Sequence, residues 1–326
     1  MTKIVVLDGY TLNPGDISWR PFESLGTLTV YDRSAVDQIA ERASGAACLI
    51  TNKASLDDAT MSLLPELRYI GVTATGTNVV DLDAASARDV TVTNVPGYSA
   101  PSVAQHAIAL LLHLASRVAE HDAAVHDGAW ASCDDWTFNV APQVELADKT
   151  LGIIGMGSIG SRVARIASAM GMKIASVNRD GKKKKIHGVK IEWLELDDLF
   201  ARADAITLHC PLTEQTHHLI NTERLAKMKP TAFLINTGRG PLIDEVALAE
   251  ALHLSRIAGA ALDVLNDEPP NADHPLLNAP RCVITPHNAW ATVEARSRLM
   301  DMAAANLKAF IDGQPVNVVN EPVASA

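Results

Sequence analysis

The chain has 326 residues, with 28 Lys and Arg against 38 Asp and Glu and a formal charge of −10, a balance that excludes a general binder of nucleic acid or anionic membrane. Hydrophobic residues make up 48%, which excludes intrinsic disorder and, at this length, supplies cores for two domains. The longest apolar stretch, Ala107 to Leu112, stops at His113, far short of the roughly 20 residues of a membrane span.

Short apolar runs bounded by turn residues alternate with segments of helical period, the pattern of parallel sheets covered by helices, so the expected fold class is α/β. The opening MTKIVVLDGY reads as a strand and a turn without the features of a signal peptide, and the mature chain is expected to begin there. Strands are predicted at Ile4 to Leu7, Leu28 to Tyr31, Ala47 to Ile50, Tyr69 to Val72 and Val90 to Thr93, enough for a small doubly wound domain. Asn94-Val95-Pro96-Gly97 then supplies turn chemistry, and one long helix is predicted over Ser102 to His126, with Pro101 at its start. A second series follows, at Thr150 to Ile154, Lys173 to Asn178, Ala205 to His209, Ala232 to Asn236, Ile257 to Asp263 and Val283 to Thr285, which makes a Rossmann-sized unit. The last predicted helix, Thr292 to Asp312, lies beyond that unit and is expected to pack back on the first. Cys48, Cys133, Cys210 and Cys282 have no C-x-x-C spacing and read as the reduced thiols of a cytoplasmic protein.

Leu151-Gly152-Ile153-Ile154 runs straight into Gly155-Met156-Gly157-Ser158-Ile159-Gly160, and Ser161 to Met170 has helical character. This is G-x-G-x-x-G in the strand, turn and helix setting that dinucleotide binding needs. The first glycine allows the tight turn, the second lets backbone approach a pyrophosphate, and the third lets helix and strand pack closely. The helix N-terminus offers its free N–H groups to the phosphates. About twenty residues on, an NAD site offers a carboxylate to the ribose; here the position holds Asn178, with Arg179 beside it, then Asp180, Gly181 and Lys182 to Lys185. Loss of the acid and gain of a planar guanidinium favour a 2′-phosphate. NADP(H) is therefore expected in preference to NAD(H), with Asn178, Arg179 and Lys182 at that phosphate. The alternative is that Asp180 serves NAD(H), and Lys183 to Lys185, taken singly, are expected to form a solvated loop.

Three later predicted strands end in polar groups, which a parallel sheet delivers to one edge. They are Thr237-Gly238-Arg239-Gly240, Asp263 with Glu268 five residues beyond, and Thr285-Pro286-His287. Arg grips a carboxylate with two parallel hydrogen bonds, and His carries a proton near neutral pH with a carboxylate to orient it. The set suits hydride transfer to a 2-keto acid. His106, His113, His121 and His126 show no metal-ligand spacing, and His209, His217 and His218 read as polar groups at a loop and cofactor rim. Asn52 and Lys53 either line a substrate pocket or sit in a solvated loop.

At these residues the chain resembles the D-isomer-specific 2-hydroxyacid dehydrogenase family over nearly its whole length. The signatures are Gly71-Val72-Thr73-Ala74-Thr75-Gly76-Thr77-Asn78, the block from Asn94 to Leu112, the glycine motif, Asn236-Thr237-Gly238-Arg239-Gly240, Leu262-Asp263-Val264 with Glu268-Pro269, and Pro286-His287-Asn288-Ala289-Trp290. The resemblance implies that Arg239 binds and polarises the substrate, that His287 is the acid/base and that Glu268 pairs with it. It implies a backbone cradle for the substrate carboxylate at Thr75-Gly76. Thr237, Arg239, Asp263 and His287 would line the nicotinamide site, with Gly238 in the same turn and Pro211 and Thr216 in a cofactor loop. It also implies a Rossmann-type cofactor domain, 101–290, inserted in a smaller flavodoxin-like α/β substrate-binding domain made of 1–100 and 291–326. A homodimer follows from it, with Trp136 a candidate to reach the partner's substrate pocket. The stretch after His287 looks most like the glycerate dehydrogenase and hydroxypyruvate/glyoxylate reductase branch, so the expected reaction is hydroxypyruvate and NADPH to D-glycerate, with glyoxylate as a second substrate. A bulkier 2-keto acid and, from another class, a dinucleotide-sensing corepressor scaffold are the alternatives.

Overall fold

The computed structural model describes residues 2–178 and 183–320. Two compact units emerge: one runs to Ser99 and resumes at Ala291, and the other is Ala100–Trp290.

In the first unit β1 (Lys3–Val6), β2 (Thr27–Val30), β3 (Cys48–Thr51), β4 (Tyr69–Val72) and β5 (Thr91–Thr93) form a parallel sheet in the order β2-β1-β3-β4-β5. β3 and β4 are buried at every position, which is why they read as unbroken apolar runs and not as alternation. The connecting helices are short: α1 (Arg20–Glu23), α2 (Val36–Arg42), α3 (Asp58–Ser62) and α4 (Leu82–Ser86). Asp57 and Asp81 cap the last two by accepting from Thr60 N and Ala84 N.

The second unit opens with α5 (Ala100–Ser116) and α6 (Val118–His126), where one helix was expected. Arg117 interrupts it with φ 54°. α5 buries an Ala, Ile and Leu stripe, whereas α6 buries no residue, so no packing holds the second segment in line with the first. β6 (Thr150–Ile154), α7 (Ser158–Ala169), β7 (Lys173–Val177), β8 (Ile191–Leu194), α8 (Leu196–Arg202), β9 (Ala205–Leu208), α9 (Thr222–Lys227), β10 (Phe233–Asn236), α10 (Glu245–His253), β11 (Gly259–Leu262) and β12 (Cys282–Ile284) follow. Their parallel sheet has seven strands in the order β12-β11-β10-β9-β6-β7-β8, one more than the six expected. The addition, β8, is an edge strand that pairs only with β7 and is half-exposed, so it lacks the apolar run that marks the central strands.

α11 (Val293–Ile311) returns to the first unit, capped by Thr292, and packs on α1 and β4. Its buried Arg296 holds both carboxylate oxygens of Asp16 at 2.6 Å, and that hydrogen-bonded pairing keeps the Asp16 carboxyl below the usual range. Among the described residues no helix is long and apolar enough to cross a membrane.

Candidate active site

In the seven-stranded sheet the chain proceeds from β6 to β7 and β8 on one side and resumes with β9 on the other. The carboxyl ends at this reversal frame a groove of about 1040 Å³. Ile154, Gly155, Met156 and Gly157 come from the end of β6, Asn178 from β7, Leu194 and Glu195 from β8, and His209, Cys210, Pro211 and Thr216 from β9 and its loop. Gly155 stands at φ +102°, and a Cβ there would lie 2.3 Å from the carbonyl carbon of His209. At Gly160 a Cβ would meet the Gly155 carbonyl oxygen at 2.1 Å, whereas at Gly157 it would meet nothing within 4 Å. Two glycines thus serve packing and the middle one leaves backbone open. Gly157 caps α7, whose first residues are Ser158 and Ile159, and Ser161 Oγ donates back to its carbonyl at 2.6 Å.

Arg179 and Lys182 lie outside the described residues. Asn178 lines the groove, and so do Lys183 and Lys184. Lys183 to Lys185 are exposed in a loop, as expected, and Lys184 Nζ also donates to the Met156 carbonyl at 3.1 Å, which brings this member of the run to the glycine loop. Trp193, Leu196 and Arg224, which sequence reasoning did not single out, also line the groove; the first lies on the unexpected edge strand β8 and the second opens the helix after it. Thr216 Oγ1 donates to the Pro211 carbonyl at 2.8 Å and braces that loop. The His209 ring, 3.0 Å from Thr207 Oγ1, is pushed down to about 4 by burial and stays neutral.

On the other side of the sheet, β10, β11 and β12 are parallel neighbours, and their loops bring the expected polar groups to one edge. The buried Asn236 side chain shapes the turn after β10: Nδ2 donates to the Arg239 carbonyl at 2.8 Å and Oδ1 accepts from Gly238 N at 3.0 Å. Arg239 is exposed and its Nη1 donates to the Gly238 carbonyl at 2.8 Å. A Cβ at Gly240 would fall 2.0 Å from the Leu265 carbonyl carbon, so the turn bearing Arg239 lies against the loop bearing Glu268. Glu268 Oε1 accepts from Leu265 N at 3.1 Å and Oε2 is 2.6 Å from His287 Nδ1. An ionised carboxylate only accepts, so Nδ1 carries the proton toward Glu268 and Nε2 is the nitrogen left for chemistry. His287 itself stands at φ 50°, a costly conformation for a non-glycine residue, held by its N–H on the Asp263 carbonyl at 2.8 Å.

Asp263 is buried, and its oxygens accept from Thr285 Oγ1, Asn288 N and Ala289 N at 2.6, 3.0 and 2.9 Å. Nearby in sequence to Arg239, the Thr237 hydroxyl is buried and has no hydrogen-bond partner among the described residues. An orphaned buried hydroxyl calls for a ligand. Together with the open backbone at Gly157 it fits a dinucleotide cofactor.

In the other unit, Thr75 and Gly76 lie in the loop after β4. Asn94 Nδ2 donates to the Thr75 carbonyl at 2.7 Å, and Val95 N donates to the Ala74 carbonyl at 2.9 Å, which fixes the loop from below. Asn52 is buried and its Nδ2 donates to the Thr73 carbonyl at 2.6 Å, while Lys53 is exposed. Trp136 is 86% exposed on the segment of turns and bends after α6, where the Trp130 indole N–H donates to its carbonyl. No cluster of metal-ligating side chains occurs among the described residues.

Comparison with known proteins gives the family. The sequence model described as "D-isomer specific 2-hydroxyacid dehydrogenase, NAD binding domain" matches residues 108–289. A hydroxypyruvate reductase of Blautia hydrogenotrophica is 44% identical over 322 residues, covering 98% of this chain and 100% of that protein. A glycerate dehydrogenase of Methylorubrum extorquens is 37% identical over 323 residues, 97% and 98% of the two chains. The solved structure of the TT0316 protein from Thermus thermophilus superimposes with a TM-score of 0.85 at 36% identity, over 98% of this chain and 100% of that one.

Proposed function

The chain belongs to the D-isomer specific 2-hydroxyacid dehydrogenase family of NAD(P)-dependent oxidoreductases, and from that premise we propose that it reduces hydroxypyruvate to D-glycerate with NADPH, and glyoxylate to glycolate less selectively. The observation that carries the reading is the His287–Glu268 pair at 2.6 Å on the same sheet edge as Arg239. A bound reduced nicotinamide supplies the hydride. Arg239 holds the substrate carboxylate through its planar fork. His287 donates its Nε2 proton to the ketone oxygen, and Glu268, on Nδ1, fixes the tautomer and stabilises the imidazolium. Hydride and proton together convert the ketone to the hydroxyl, so the reaction balances with one NADPH consumed per keto acid.

The preference for NADPH rests on Asn178, which carries no negative charge at the ribose position, and on the lysines at the groove, of which Lys184 sits on the glycine loop. The chain works as a cytoplasmic homodimer in this reading, supported by its four free thiols and by the exposed Trp130 and Trp136 on an arm that buries little against its own chain. A panel of 2-keto acids assayed with NADPH and NADH side by side tests the whole: hydroxypyruvate with NADPH gives the highest kcat/KM, and a clear NADH preference or a best substrate with a bulky side chain overturns the corresponding part. His287→Ala lowers kcat by about 100-fold or more with little change in KM, and Arg239→Ala raises KM and lowers kcat together. Light scattering at micromolar concentration reads the dimer, and Trp136→Ala tests its place at the interface.

A further inference from the structure

His106 lies on α5, 179 positions before Thr285, and neither the glycine motif nor the Arg239, Glu268 and His287 set uses it. In the folded chain its Nε2 is 3.0 Å from Thr285 Oγ1 and 3.6 Å from Asp263 Oδ1. Donor and acceptor roles along this row follow from elementary chemistry. The Asp263 carboxylate accepts only, so the single hydroxyl proton of Thr285 is committed to it across 2.6 Å. Thr285 Oγ1 then has only lone pairs to offer, and His106 must present Nε2–H. The row is directional: His106 Nε2–H to Thr285 Oγ1, and Thr285 Oγ1–H to Asp263 Oδ1.

The far end of the row holds His287. Asp263 accepts from Asn288 N and Ala289 N, at 3.0 and 2.9 Å, and its own carbonyl accepts from His287 N at 2.8 Å. These bonds bracket His287 on both sides and keep it at φ 50°. A buried carboxylate with its oxygens on fixed donors is oriented by every one of them, and chains of such bonds reinforce one another. We infer that His106 is a positioning residue for the reduction: through Thr285 it orients the Asp263 carboxylate, and the carboxylate holds the backbone that aims His287. The inference rests on the proposed function only for its kinetic arm.

The test uses the full chain with His106→Leu, His106→Gln and Thr285→Val. Gln offers an amide N–H at the reach of Nε2, whereas Leu and Val break the row at its first and second members. With hydroxypyruvate and NADPH, Leu and Val each lower kcat about tenfold, as the loss of one orienting hydrogen bond predicts, while KM for the keto acid moves less than about threefold. Gln restores kcat to within about threefold of the parent, and the Leu and Val double variant is no worse than either single one, because both cut the same row. Amide hydrogen exchange at Asn288 and Ala289 accelerates in Leu and Val and keeps the parent rate in Gln. A purely structural role would lower Tm without this split between kcat and KM. Unchanged kcat and exchange in both Leu and Val, or a Gln variant as impaired as Leu, overturns the inference. If the parent turns over none of the 2-keto acids, the proposed reaction falls and the exchange measurement alone decides whether His106 holds the His287 turn; should His106→Leu not fold, Thr285→Val and His106→Gln carry the same decision.

Discussion

Each sheet reverses its strand order once, between β1 and β3 in one unit and between β6 and β9 in the other, and open α/β sheets bind ligands at such points. The two crevices are furnished in opposite ways. Between β6 and β9 the chain has removed side chains at the glycine turn: Gly155 and Gly157 bring bare backbone to one wall of the groove, and Gly160 lets α7 pack close behind it. Between β1 and β3 it has inserted a carboxylate: half-buried Asp8 accepts from Asn52 N, Lys53 N and Ala54 N at 2.8, 2.5 and 2.8 Å. Successive backbone N–H groups of this kind make an anion-binding concavity, and Asp8 is an anion already installed in it. A reversal point is therefore a capacity of the fold, which one unit leaves open for a cofactor and the other satisfies from within.

The open crevice breaks most easily at its first glycine. A Cβ at Gly155 meets His209 and Cys210 backbone at 2.3 to 2.4 Å from a φ of +102°, so Gly155→Ala should cost about 4 kcal/mol or more in denaturant unfolding and abolish dinucleotide binding. Gly157→Ala is the contrasting variant. Its Cβ meets nothing, so stability should change by under about 1 kcal/mol while dinucleotide affinity, followed by fluorescence titration, falls at least tenfold. Equal effects at the two positions would remove the distinction between a packing glycine and an approach glycine.

The filled crevice should break by a different rule. Asp8→Ala strands three N–H groups and should destabilise the protein by about 2 to 3 kcal/mol, without change in dinucleotide affinity. Asp8→Asn should be almost as damaging, because both carboxylate oxygens accept and an amide must turn its NH₂ toward one of those donors. Inorganic phosphate should then raise the Tm of Asp8→Ala and not of the parent, since only the variant has a vacant concavity. A parent protein stabilised equally by phosphate would place the anion elsewhere.

Legibility in the sequence followed the same contrast. Gly155, Gly157 and Gly160 were readable because one short segment contains the strand, the turn and the helix start, and sterics leave few residues able to serve there. Arg239, Glu268 and His287 were readable because each follows its own apolar strand, and parallel strands send their ends to one edge. Asp8 carried no such mark: its partners are 44 to 46 residues away, and only the adjacency of β1 and β3 brings them together. His106 and Thr285 are further apart still and meet only because α5 packs on β10 and β11. Arg117 breaks the long helix with neither Gly nor Pro to announce it, since the cause is the loss of a buried face after Ser116. The half-exposed edge strand β8 has no unbroken apolar run to mark it, and Trp193, which it brings to the groove, is as unmarked in the sequence.

The wall shared by the open crevice and the sheet interior gives the mildest test. His209 follows β9, lines the groove and is pushed down to about 4 from 6.5 by burial, with Thr207 Oγ1 3.0 Å from its ring. Between those two pH values the unfolded chain takes up a proton at this residue and the folded chain does not. Stability must therefore fall as pH drops through that window and is fully present above it. The residue is partly exposed, so the expected contribution is about 1 kcal/mol and not the full value of the shift. Other titrating groups act on parent and variant alike, so the informative quantity is the stability difference between the parent and His209→Asn. The parent should lose about 1 kcal/mol relative to the variant on going from neutral pH to pH near 4. A difference that stays flat would mean that the folded groove accepts a charged His209, and that the open crevice tolerates a cation where its neutral wall now stands.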